Sequence, residues 1–322
     1  MTQPGSPHRA WIEIDHAAIR HNVGVVRRHA HGARIIAVVK ANAYGHGDLP
    51  VARTLAAEGV ETLAVATLDE ALRLREAGIE LPILVLWGLG PSEAAALAAA
   101  PDLEAVAYDE AGVRMLDAAG AAAGRRTGVH LKIDTGLGRQ GASPDEAAAL
   151  GAAIARSAHL RLAGTMTHLA VPGEDEAFTE TQQLRMARAL DAMRSAGVDP
   201  GLVHVAATGS IVSGSLGFAD AVRPGLALYG LAPAWAGPAA IGLRPALSLK
   251  ARPLRLFDLP AGEGVGYGLR WRAARDTRVA TLGIGYGDGW PRSHANTGSA
   301  LVRGRRVPVV GMVSMDGLTV EI

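Results

Sequence analysis

Over the first two-thirds of the chain, short apolar runs alternate with amphipathic, alanine-rich stretches. Asp15 stands where an N-cap opens a helix that runs to about Ala30. Apolar runs follow at Arg34–Val39, Thr62–Ala66, Ile83–Leu86, Glu104–Ala107, Val129–Ile133, Arg161–Met166, Leu202–Ala206 and, more weakly, Phe218–Val222. Helical stretches such as Asp69–Ala77, Asp109–Gly124 and Asp145–Arg156 separate them. Short strands that are apolar throughout belong to a parallel sheet covered on both faces. Eight such units match a (β/α)8 TIM-type barrel, whose usual size is ~250 residues. An open, doubly wound sheet is the alternative, because periodicity does not reveal closure.

From about Arg244 the helical stretches stop. Ala246–Leu256, Gly266–Trp271, Thr277–Ile284, Ala300–Val302, Val307–Val313 and Leu318–Ile322 read as strands joined by Gly- and Pro-rich turns. They predict a smaller, all-β domain. Leu231–Gly242 is the expected linker, giving a barrel over residues 1–235 and a β domain over 236–322. The closing LTVEI stops in mid-strand, so this β domain is expected to be truncated.

Composition narrows the chemistry more than the fold. A formal net charge of +1 over 322 residues gives no electrostatic case for nucleic acid or an anionic membrane. The absence of cysteine excludes disulfides, thiolate metal sites and a cysteine nucleophile. Met1–Ala10 is polar and lacks the apolar core of a signal peptide, and no apolar run reaches the ~20 residues of a membrane span. A cytoplasmic protein is expected. His8, His16, His21, His29, His31, His159 and His294 lack metal-ligand spacing, so no metal site is expected.

Barrels of this kind do their chemistry at the C-terminal ends of the strands. The first strand ends in Lys40, within KANAYGHG; the fifth carries Lys132 and Asp134 and runs into TGLGRQG, which holds Arg139. The sixth ends at His168, the seventh leads through His204 to Thr208-Gly209-Ser210, and the eighth ends in Arg223-Pro224-Gly225. Loops after strands seven and eight are the usual phosphate-binding place, and Thr208, Gly209 and the Gly225–Leu226 backbone have suitable chemistry. A lone Thr-Gly-Ser is as often a plain helix cap; two glycine loops on the expected strands favour phosphate. A lone strand-end lysine usually snorkels to solvent. Beside Asn42, Tyr44, His46 and two glycines, Lys40 reads instead as a Schiff-base lysine.

These blocks resemble those of alanine racemases. AVVKANAYGHG (Ala37–Gly47) is similar to that family's cofactor-lysine signature. The resemblance continues through LKIDTGLGRQG (Leu131–Gly141), THLA (Thr167–Ala170), HVAATGS (His204–Ser210) and RPGLALYG (Arg223–Gly230). It then runs on through GYG (Gly266–Gly268), IGYGDGW (Ile284–Trp290) and VSMDG (Val313–Gly317). One glycine-rich block is weak evidence; eight in family order are specific.

The resemblance implies a pyridoxal 5'-phosphate enzyme that interconverts L- and D-alanine and supplies D-alanine for peptidoglycan. Lys40 would carry the cofactor and act as base on one face of Cα, with Tyr267 as base on the other. Tyr44, Thr208 and the Gly225 and Leu226 backbone would bind the phosphate. Arg223 would serve the ring nitrogen, oriented by His168, and Arg139 the phenolic oxygen and the substrate carboxylate. Lys132 matches a lysine that many members carbamylate. Tyr286, Met315 and Asp316 would line the entrance and the carboxylate site. A head-to-tail homodimer with shared sites is also implied. One departure is Ala207-Thr208 where the family often has Asn-Ser, which keeps the hydroxyl and loses the amide.

Four rivals stand beside this reading: a broad-specificity racemase, a truncated racemase that binds cofactor without turnover, a non-catalytic cofactor carrier and a related decarboxylase. Arg223 and the lack of cysteine speak against the last. A non-catalytic cofactor carrier would lack the second domain and Tyr267.

Overall fold

The structure is a computed structural model that describes residues 8–237 and 240–322. Residues 1–7, within the segment read as lacking a signal peptide, and residues 238–239, within the expected linker, lie outside these. The chain divides into two compact units, one spanning Asp15–Ala246 and the other joining the N-terminal strand to Leu247–Ile322.

The strand β1 (Ala10–Ile14) comes first and belongs to the second unit; the larger unit follows it. Its strands are β2 (Arg34–Val38), β3 (Thr62–Val65), β4 (Ile83–Val85), β5 (Leu103–Ala107), β6 (Thr127–Lys132), β7 (Leu160–Met166), β8 (Leu202–Ala207) and β9 (Ala221–Arg223). They are parallel and close into a barrel, β2 pairing with β9 through Arg34↔Ala221 and Ile35↔Val222. That pairing excludes the open sheet. Ile36, Val38, Ala64, Leu84, Val106 and Met166 fill part of the interior.

Helices cover the outside because their apolar positions recur at helical spacing. In His16–His29 the buried positions are 18, 19, 22, 23, 25 and 26, and the Asp15 carboxylate accepts from the Ala17 and Ala18 N–H groups at 2.8 and 3.1 Å. This helix precedes the barrel strands yet packs beside the turn after β9, so it covers the gap where the barrel closes. Asn22, fully buried on it, donates to the Leu228 and Arg244 carbonyls and accepts from Arg244 N–H. Gly230 lies in the same corner at φ 80°, where a β-carbon would collide with the Arg244 carbonyl.

In the second unit β1 pairs antiparallel with β10 (Leu247–Ala251), from Ala10↔Ala251 to Ile14↔Leu247. The other strands are β11 (Pro253–Leu259), β12 (Thr277–Leu282), β13 (Ser299–Val302), β14 (Arg305–Val310) and β15 (Leu318–Glu321). They form one sheet of order β11-β12-β15-β14-β13, so the closing LTVEI lies in the middle of the sheet. Ala280, Ile284, Val309, Val313, Leu318 and Val320 are its core.

Two strand expectations need correction. Ala246–Leu256 is not one strand: Pro253 has no N–H to continue a ladder, and β10 and β11 part at Arg252. Gly266–Trp271 is not a strand at all. Gly266, Gly268 and Leu269 have φ of 74°, 69° and 45°, which turns Tyr267–Leu269 into a single 3-10 turn.

Gly230→Ala is expected to destabilise the barrel unit by about 3 kcal/mol, combining a positive φ with a backbone collision. Urea titration measures this, and an unchanged midpoint would show that the corner relaxes.

Candidate active site

At the C-terminal mouth of the barrel lies a cavity of about 260 Å³, bordered by Lys40, Tyr44, Lys132, Arg139, His168, Thr208, Arg223, Gly225 and Leu226. All nine barrel-borne residues that the resemblance gives a role border this one space, whereas Asn42, His46, Asp134 and His204 do not.

Lys40 stands just past β2, and an unusual turn follows it. Ala41, Asn42, Ala43 and Tyr44 all have φ between 52° and 55°, the left-handed region that costs L-residues about 1–2 kcal/mol each. The turn is held from outside: Ala41 N–H donates to the Glu70 carboxylate at 2.5 Å, and Asp48 N–H to the Asn42 side-chain oxygen at 3.0 Å. Tyr44 is thereby aimed across the mouth. Its ring packs 5.0 Å from that of Tyr229, whose hydroxyl donates to the Val38 carbonyl. A β-carbon at residue 225 would sit 2.5 Å from the Tyr44 hydroxyl, so glycine there makes room for the phenol.

The TGLGRQG loop owes its shape to Asp134, whose carboxylate accepts from the N–H groups of Gly136, Leu137 and Gly138 at 2.9 to 3.2 Å. This loop presents Arg139, which lies over the Trp87 ring, 5.4 Å from its centroid. Lys132, buried on β6, donates to the Gln140 side-chain oxygen at 3.0 Å. Trp87 and Gln140 were not found in the sequence. Gln140 could have been, since it adjoins Arg139 within a motif already singled out.

Arg223, 3% exposed, is held by the carbonyls of His204, Thr167 and Val205 at 2.5, 2.6 and 3.1 Å. Its guanidinium also meets Nδ1 of His204 at 2.9 Å and Nδ1 of His168 at 3.2 Å. Guanidinium has only donors, so both ring nitrogens accept. Thr208 opens the helix Thr208–Ser213, and its hydroxyl accepts from the N–H groups of Gly225 and Ala227 at 3.2 Å each. The buried Ser210 hydroxyl nearby has no partner among the described residues.

The electrostatics of the mouth are those of an anion receptor. Burial, followed by Arg139, lowers the Lys40 pKa, with Glu70 opposing. Lys132 is held down to about 8 by burial and then by Arg139 and Arg223. Burial and the same cations push His168 down to about 3, which keeps its imidazole neutral.

Tyr267, Tyr286, Met315 and Asp316 belong to the second unit. Gly285 lies against the Ser314 carbonyl, where a β-carbon would collide, and Gly287 N–H donates to the Met315 carbonyl at 2.7 Å. A β-carbon on Gly311 would lie 2.6 Å from the Val265 carbonyl oxygen. Close backbone approach thus joins the three glycine-bearing segments, and they leave Tyr267, Tyr286 and Met315 exposed at 75%, 42% and 61%. Asp316 is exposed too, and its carbonyl accepts from Arg9.

Family models for the N-terminal and the C-terminal domain of alanine racemase match residues 14–233 and 246–322. Alanine racemases of Symbiobacterium thermophilum and Sorangium cellulosum are 39% and 40% identical over 313 and 317 residues, covering 97% and 96% of this chain and 83% of each relative. The crystal structure of alanine racemase from D-cycloserine-producing Streptomyces lavendulae, 36% identical, matches with a TM-score of 0.90 over 99% of this chain and 85% of that one. A barrel with a cation-lined mouth followed by a β domain, matched over nearly its whole length, defines an isomerase of the racemase type. The chain belongs to the alanine racemase family.

Unfolded lysine titrates near 10.5 and Lys132 near 8. Below pH 8 both states are protonated and the buried charge costs the folded state in full; between 8 and 10.5 the unfolded chain binds more protons, so stability rises with pH. In carbonate-free buffer, denaturant titrations are expected to show a gain of about 3 kcal/mol across that window from this residue. Lys132→Met should shrink the gain, and an identical profile in wild type and variant would refute a buried charge there.

Proposed function

We propose that this chain interconverts L- and D-alanine with pyridoxal 5'-phosphate held at the barrel mouth, using Lys40 and Tyr267 as bases on opposite faces of Cα. The observation that carries this reading is the convergence of Lys40, Lys132, Arg139 and Arg223 on one cavity of about 260 Å³. Those donors suit an anionic, ring-shaped ligand. The Tyr44 hydroxyl, seated against Gly225, and Thr208, Gly209 and Leu226 on the cavity wall beside it fit a phosphate end.

When bound, the cofactor supplies an electron sink for the pair left on Cα. The protein's own part is to hold groups and move a proton. Lys40 would hold the cofactor through its amine; burial favours the neutral amine, which can both bond to an aldehyde and take a proton. Arg223 does not give up its proton at working pH, so it would offer the ring nitrogen a hydrogen bond and leave it unprotonated. Tyr44, Thr208 and the backbone at Gly225 and Leu226 would bind phosphate. His168 would keep the Arg223 fork oriented. Arg139 would bind the phenolic oxygen and the alanine carboxylate. A lysine with pKa about 8 has neutral amine to react with carbon dioxide, which supports Lys132 as the carbamylated residue behind Arg139.

Racemisation returns the proton to the face opposite its removal, so a second base is required. Tyr267, 75% exposed, suits delivery to another subunit's barrel in a head-to-tail homodimer. Tyr286, Met315 and Asp316 would then border the entrance. The D-alanine formed would feed peptidoglycan in the cytoplasm; no helix among the described residues is long and apolar enough to cross a membrane.

In deuterated water, cofactor-loaded protein and L-alanine should yield D-alanine carrying deuterium at Cα, and borohydride should fix the label on Lys40. Lys40→Ala should lower kcat/KM by at least about a thousandfold. Release of carbon dioxide, or no exchange by protein labelled at Lys40, would refute the racemase reading.

Lys40→Ala and Tyr267→Phe should each be inactive alone. An equal mixture, dissociated and reassociated, should recover about a quarter of wild-type rate, since half the dimers are hybrids with one intact site. Hybrids that stay inactive while both parents remain folded would defeat the shared site.

A further inference from the structure

A chain of buried polar side chains crosses the barrel interior, where barrels ordinarily stack aliphatic layers. It starts near the N-terminal strand ends with Glu104 on β5, whose Oε1 accepts from the Arg161 guanidinium at 2.8 Å. The other oxygen, Oε2, lies 2.9 Å from Nε2 of His130 on β6. Nδ1 of His130 lies 2.7 Å from Nε2 of His204 on β8, and Nδ1 of His204 lies 2.9 Å from the Arg223 guanidinium at the cavity. His130 and His204 are 2% and 0% exposed, and their rings meet edge to face at 4.8 Å.

The direction of every hydrogen bond can be read from the Arg223 end, and the Glu104 acceptor at the other end demands the same one. Guanidinium only donates, so Nδ1 of His204 accepts and its proton is on Nε2. That proton faces Nδ1 of His130, which must accept in turn, leaving the His130 proton on Nε2. This second proton points at Glu104, a carboxylate that accepts. Both imidazoles are therefore neutral, with all four ring nitrogens used.

The backbone is shaped around these groups. A β-carbon on Gly128 of β6 would lie 2.8 Å from Oε1 of Glu104, and one on Gly164 of β7 would lie 2.7 Å from Nδ1 of His130. The β6–β7 register shifts between Val129 and His130, and the β8–β9 register between His204 and Ala207. Irregularities of this kind re-aim side chains. Two glycines and two register shifts thus fall on the residues of one polar chain.

We propose that Glu104 and His130 are positioning residues for Arg223, acting through His204. The carboxylate at the far end of the barrel keeps both histidines in the Nε2–H form, so the guanidinium always finds an acceptor. Without that acceptor, His130 is free to carry its proton on Nδ1. This would force the His204 proton to its own Nδ1, against the Arg223 donors. The proposal rests on Arg223 serving the cofactor ring nitrogen; the tautomers themselves do not.

The test is long-range ¹H–¹⁵N correlation of the histidine rings in cofactor-free protein. In wild type, His130 and His204 should both show the neutral Nε2–H pattern. Glu104→Gln keeps an acceptor oxygen and should keep that pattern and most of the activity. Glu104→Leu should move His204 toward the Nδ1–H pattern, lower kcat of the loaded enzyme about tenfold with KM changed less than twofold, and shift the cofactor absorbance. A cationic or Nδ1–H His204 in wild type would overturn the proposal. So would a Glu104→Leu protein whose His204 pattern matches wild type. Wild-type tautomers in a protein that never racemises alanine would refute the proposed function alone.

Discussion

Crowding of positive charge at the barrel mouth is the constraint on which the other features of the site depend. Like charges ~5 Å apart at a protein rim repel by about 3 kcal/mol. Lys40, Lys132, Arg139 and Arg223 nevertheless border one small cavity. Each is tolerated for its own reason. Arg223 is enclosed by three carbonyl oxygens and two ring nitrogens. Arg139 rests on an aromatic face, and the two lysines lose protons more readily than usual. A mouth built this way is electrostatically unfavourable empty and more favourable around an anion.

Holding such a mouth open requires backbone that ordinary residues do not adopt. Four successive left-handed residues follow Lys40, at an intrinsic cost of about 1–2 kcal/mol each, and hydrogen bonds from Glu70 and Asn42 maintain them. The conformation directs Tyr44 to a place that only glycine at 225 leaves free. Glycine at 285 has a matching purpose in the other unit, letting the Tyr286 and Met315 loops touch through their backbones.

Much of this was legible in the sequence because the signals are local. Strand after strand of apolar residues, most followed by a helix, yields the barrel strands within a residue or two except the last, which begins at Ala221 rather than Phe218, and Asp15 caps the helix it was expected to cap. The barrel-borne site residues were legible because they close strands. The pairing of β1 with β10 was not, since nothing near Ala10–Ile14 announces a partner so distant in sequence. The Gly-Tyr-Gly turn was misread because its flanking residues carry strand propensity, whereas glycine conformation decides the path. The chain from Glu104 to His204 was also missed. Its one local mark is that Gly128, His130 and Lys132 alternate along β6 and so share its inner face, where aliphatic residues are the norm.

The union of β1 with β10 bears on how the molecule is made. Asp15–Ala246 is continuous, and its strands pair mostly with their neighbours in sequence, so this part can assemble while synthesis proceeds. The segment Ala10–Ile14 is made before the barrel strands and is among the last to find its place, because Leu247–Ala251 must be translated before it has a ladder to join. At ~5–20 residues per second, some tens of seconds separate the two events. During that interval this strand is an unsatisfied edge while the barrel strands that follow it can already pair.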